Sequence, residues 1–141
     1  MEINNKVMDG WNALQNLRKA KLLPHGEAVV LLKALKGEEA NGFADNILNA
    51  WSTFEKLPKS RQTEDQTDPT VMLHYFLGSW DWYITENATE GNREEIEFFG
   101  LVKSPWCQNG ELGYINIAEV TSTGAELDLH FSQAPLSSFR E

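Results

Sequence analysis

The chain has a single cysteine, Cys107, among its 141 residues. One thiol excludes an internal disulfide framework and fits a reducing, cytoplasmic setting. The sequon Asn87-Ala88-Thr89 is then chance, because its glycosylation requires secretion. No apolar run approaches the ~20 residues of a spanning helix, so no membrane association is expected. The N-terminus shows no basic stretch followed by an apolar one, and no secretory leader is expected. Internal repeats and low-complexity tracts are absent. So are the GxGxxG, GxxxxGK[ST] and GxSxG patterns that mark dinucleotide, phosphate-loop and nucleophile-elbow chemistry.

Positive charge is scarce in the second part of the chain. Residues 1–60 hold eight Lys/Arg against seven Asp/Glu, whereas residues 61–141 hold four against fourteen, a net of −10. Phosphate-backbone binding relies on Lys and Arg releasing counterions. Direct nucleic-acid binding through the acidic half is therefore not expected. What remains is a chain of one domain's length, able to bury roughly 70% of its unfolded surface without staples.

Periodicity divides the chain into a helical part over 1–58, a polar linker over 59–68 and a β-rich part over 69–141. Val7, Trp11, Leu14 and Leu17 predict a helix over 5–22. A second is predicted over 27–36, with Gly37 as its cap, and a third over 43–57 on Phe43, Ile47, Trp51 and Phe54, ended by Pro58. Trp11 and Trp51 are expected in the packing between helices. From Val71 the pattern alternates. Strands are predicted over 70–77, 80–86, 95–103, 112–117 and 126–131, with one helical turn over 118–122. The first two strands form a hairpin, with Trp80, Trp82 and Ile84 on one face and Asp81, Tyr83 and Thr85 on the other. Helices followed by strands argue an α+β fold with a mainly antiparallel sheet of about five strands.

Four short stretches carry a family resemblance: WDWYITE (80–86), FFGLV (98–102), ELGY (111–114), and a leucine-rich strand ending in LHF (129–131) before Pro135-Leu136. Their order and spacing over residues 69–139 resemble the domain of unknown function 2958. That family consists of small cytosolic proteins of bacterial mobile elements, plasmids and phages. The resemblance implies an α+β fold and a mobile-element setting. It implies no reaction and no catalytic residue, and it leaves the helical part uncovered.

Two histidines and a carboxylate, His74, His130 and Asp128, are the residue types for a metal site with an open position. They lack helical ligand spacing, and histidines at a sheet surface are the plainer reading, so neither metal nor cofactor is expected. Cys107 has only Lys103 near it in sequence to activate a thiol, and reads as a plain thiol. Aromatic side chains interleaved with acids suit a protein partner better than a nucleic acid. The expected contact face comprises Trp80, Asp81, Glu86, Glu90, Glu94, Glu95, Glu97 and Trp106. The expected partner is a basic protein, such as one that itself binds nucleic acid. The sharpest version is counter-defence against a restriction or CRISPR-type nuclease. The alternative is a small enzyme, metal-assisted in one version, whose site lies between helices and sheet and uses His74, His130 and Asp128.

Overall fold

Asn4 caps the first helix, α1 (Asn5–Lys19), its side chain accepting the Val7 N–H at 2.9 Å. The computed structural model describes residues 4–60, 62–63, 65–91 and 93–140. Gly10 lies inside α1, where glycine costs an isolated helix about 1 kcal/mol relative to alanine. Tertiary packing explains its use. A Cβ at Gly10 would stand 2.8 Å from the Ala44 Cβ of α3 (Ala40–Lys56), so glycine lets the two helices approach closely. Gly10→Ala is expected to destabilise the protein by about 1–2 kcal/mol despite its better helix propensity. Thermal denaturation checks this, and a raised midpoint would refute the packing role.

The short α2 (His25–Ala34) completes a helical layer. Trp51 packs on Phe54 with ring centroids 5.3 Å apart, as expected of the helix core. Trp11 differs from expectation: it is exposed, over a shallow groove that it lines with Met8 and Leu32.

The strands are β1 (Thr70–Val71), β2 (Leu73–Leu77), β3 (Trp80–Asn87), β4 (Glu97–Ser104), β5 (Cys107–Asn116), β6 (Glu126–Leu127) and β7 (Ala134–Pro135). Five form one sheet in the order β5-β4-β3-β2-β6, with every neighbouring pair antiparallel. The α+β class, the helices-first order and the β2–β3 hairpin are as the sequence predicts. Helix α4 (Ile117–Ser122) follows β5, capped by the Asn116 side chain, and a 3₁₀ turn (Leu136–Phe139) closes the chain.

Three strand boundaries differ. The stretch 70–77 divides at Met72, because Thr70 and Val71 pair with β7 in a separate ribbon. The loop expected over 104–111 contracts to the two residues Pro105 and Trp106, with Ser104 opposite Cys107, so β5 begins five residues early. The expected strand 126–131 keeps only its first two residues. Asp128 then accepts the His130 N–H at 3.0 Å, an Asx turn that competes with further pairing.

The sheet's two faces pack differently. Leu73, Tyr75, Ile84, Phe98 and Ile115 join Leu14, Leu17 and Ile47 in one core shared by helices and sheet. The fully buried Tyr75 donates its hydroxyl to the Leu22 carbonyl at 2.6 Å, satisfying both groups. Trp82 lies on this face but only at the core's margin, half-buried and stacked on Trp80 at 5.7 Å. On the opposite face Tyr83 and Leu101 pack with Val71, Phe131, Leu136 and Phe139. The C-terminal segment crosses there, held by Lys103 Nζ donating to the Phe139 carbonyl at 2.8 Å. Ser137 adds its N–H and hydroxyl to Asp68, at 2.9 and 2.6 Å. Those bonds hold the Asp68 carboxyl below its ordinary pKa. The polar stretch 59–68 is thus tied to the C-terminal segment at its end.

Candidate functional site

The acids and aromatics expected on one face separate into three places. Asp81 lies near the start of β3, and the loop carrying Glu90, Glu94 and Glu95 follows its end. Six residues of extended chain separate Asp81 from Asn87, about 20 Å. Glu86 leaves the surface altogether, at 5% exposure. The cause is a β-bulge: Ile84 opposes Gly100, and Glu86, two residues on, opposes Phe99. The extra residue turns Glu86 onto the same face as Thr85. There its carboxylate accepts the Thr63 N–H at 3.1 Å, and the Thr63 hydroxyl donates to the same oxygen. Glu86 therefore anchors Thr63 and does not present a charge to solvent.

Over this bulge lies a cleft of about 630 Å³ lined by Thr63, Asp68, Glu86, Phe99, Tyr114 and Arg140, among others. That volume is in the range of ligand sites. The cleft sits on the face of the sheet away from the helices. Between helices and sheet, where the alternative reading places an enzyme site, lie the shared core and a cavity of only about 20 Å³ that Asp128 borders.

His74 bridges two carboxylates. Its Nδ1 lies 3.1 Å from Asp128 Oδ2 and its Nε2 2.7 Å from Asp81 Oδ1. The ring stacks on Tyr83 at 4.8 Å and 9° between planes. Burial, then the nearby Asp81 charge, push the Tyr83 phenol pKa up. Both ring nitrogens of His74 face separate oxygens, so the three groups span the ring instead of converging on a point. His130 does not join them: its side chain is exposed beside Glu39 and Phe43. Among the described residues no three His, Cys, Asp or Glu side chains form a metal-holding group.

The most exposed of the large aromatics lie on the β4–β5 hairpin, while Met8, Trp11, Val30, Phe76 and Leu77 are exposed elsewhere, on α1, α2 and β2. Trp106 at the hairpin's turn is 84% exposed, Tyr114 67% and Leu112 48%. Trp106 lies 6.0 Å from Trp80, extending the Trp80–Trp82 pair into a strip of three indoles. Tyr114 meets Phe99 edge-on at 5.3 Å. Acids surround the far end of β5. Glu95 Oε2 accepts the Asn116 side-chain N–H at 3.1 Å, Glu97 is the register partner of Asn116, and Glu119 N–H donates to the Asn116 side chain. Trp80, Trp106, Glu95 and Glu97 are thus associated with this hairpin, while Glu90 and Glu94 are exposed in the preceding loop. Leu112 and Glu119 were missed from sequence, and Tyr114 was weighed only as a pocket wall, not as part of the contact face. The signal for Leu112 and Tyr114 was ELGY (111–114), in which two apolar residues share one face of the strand.

Glu27 is a second residue that sequence did not single out. It lies in the first turn of α2 and accepts the Leu127 N–H at 2.8 Å, joining α2 to the β6 edge. Burial raises its pKa from the ordinary 4.5 to about 7; the Leu127 bond opposes this, and the charges of Glu126 and Asp128 reinforce it.

No family model, curated protein or solved structure matches the chain. Among the described residues no helix is long and apolar enough to cross a membrane.

Proposed function

We propose that this is a non-catalytic interaction protein that engages a basic protein through the β4–β5 hairpin and its acidic surroundings. One observation carries the reading: Trp106, Leu112 and Tyr114 are all held in water on a single hairpin. Leu112 and Tyr114 share the cleft face of the sheet, whereas Trp106 extends the Trp80–Trp82 strip on the other face, and exposed aromatics are favoured anchors of interfaces. The −10 charge of residues 61–141 selects a basic partner and acts mainly on on-rate and specificity. The resemblance to the domain of unknown function 2958 supplies the setting of the proposal, a bacterial mobile element acting in the cytoplasm. Its sharpest form is counter-defence, the blocking of a restriction or CRISPR-type nuclease.

The test is a pull-down with tagged protein at low and high salt, parent against Trp106→Ala. At low salt the parent is expected to retain a basic, nucleic-acid-binding protein that is lost on raising the salt. Trp106→Ala should weaken retention by about tenfold or more, the effect of an anchor residue. Recovery of no basic protein at low salt would refute the reading.

A further inference from the structure

We infer that the outer edge of β5 binds an extended basic segment as an added strand, an inference that rests on the interaction reading above and specifies its geometry. β5 is ten residues long and pairs only with β4, whereas the opposite edge strand, β6, has two. Among the described residues no strand or loop backbone bonds to the outer side of β5. Such an edge is a ready template for another chain, and proteins usually blunt it with lysine, proline or a cover. The stretch CQNGELGYIN contains neither lysine nor proline, and its only charge is Glu111. Gly110, with φ 83°, interrupts regularity near the start, which leaves 111–116 as the regular edge.

The side chains say where such a strand would seat. Leu112 and Tyr114 share the face that borders the 630 Å³ cleft. A strand laid beside β5 would place alternate side chains over them. Its backbone would supply affinity and its alternating side chains specificity, the usual division in strand addition.

Charge decides the occupant. A second copy paired antiparallel about Gly113 would bring the Glu95, Glu97 and Glu119 cluster of each chain towards Glu111 of the other. Like charges across strands are destabilising, and a net charge of −9 on each copy adds to the repulsion. A basic segment meets the same acids with attraction. The occupant's pattern follows: aliphatic residues on the side of Leu112 and Tyr114, Lys or Arg alternating with them.

The probe is a capped, labelled decapeptide of alternating valine and lysine. Its twin is N-methylated on alternate amides, with the same charge but without the bonding donors. Anisotropy at low salt is expected to show the unmodified peptide binding at least about tenfold more tightly, the effect of losing a few hydrogen bonds. Amide exchange should slow within 111–116 only with the unmodified peptide. The doubly substituted Leu112→Lys, Tyr114→Lys variant should lose both effects while keeping its fold, since both side chains are exposed. Equal, salt-sensitive binding of both peptides without protection of β5 would overturn strand addition and leave the basic-partner reading standing. Failure of the unmodified peptide to bind would also overturn it, with the pull-down still deciding the broader reading. Self-association that protects the same amides would assign the edge to a second copy and overturn the inference.

Discussion

Gly100→Ala is expected to destabilise the fold by about 3 kcal/mol or more, the upper range for overpacking a tight interior position. A Cβ there would fall 2.0 Å from the Tyr83 carbonyl oxygen and 2.9 Å from its carbonyl carbon. Those atoms belong to the backbone of β3, so no side-chain rotation relieves the contact. Relief requires β3 and β4 to separate next to the bulge that places Glu86. Gly113 is the control. A Cβ at Gly113, by contrast, meets nothing within 4 Å. Gly113→Ala should therefore change stability by less than about 0.5 kcal/mol. Urea denaturation of both variants checks the pair, and equal stabilities would refute the assignment.

At pH 8, Glu27→Gln is expected to be more stable than the parent by about 2 kcal/mol. A pKa displacement of this size carries a few kcal/mol at most, less for the part of the side chain in water. The direction follows from linkage. Folding raises the Glu27 pKa from 4.5 to about 7, chiefly through burial, so between those values the folded protein binds more protons than the unfolded chain. Stability from this group is fully present below about pH 4.5 and is lost as pH rises through about 7. Glutamine keeps an oxygen for the Leu127 N–H and carries no charge to desolvate. The advantage of the variant should shrink towards zero as pH falls to about 4.5. Denaturation at both pH values tests this, and a parent more stable than the variant at pH 8 would refute it.

The hairpin surface and the buried Glu86 were unequally legible. WDWYITE alternates cleanly, and Trp82 and Ile84 do face the helices. The same alternation extrapolated to Glu86 puts it on the wrong side, because the bulge at Thr85 depends on how β4 meets β3. Trp106 is expected as a contact residue and is the most exposed of the large hydrophobics described. Leu112 reads as an ordinary strand residue, since an edge strand and a central strand have the same local pattern.

Sequence alone determined the elements whose causes lie within a few residues. These are three helices with apolar stripes, the β2–β3 hairpin, the α+β order, and a second half whose acidity selects against phosphate. The tertiary structure decided what depends on distant partners. It brought Ala44 to Gly10, Thr63 to Glu86, Leu127 to Glu27, and the C-terminal Phe139 to Tyr83. It also left β5 at the edge of the sheet, with two apolar side chains and a row of backbone groups in water. Periodicity reports which side of an element is apolar. Burial, a raised pKa or an open edge is set by what the rest of the chain brings to that side.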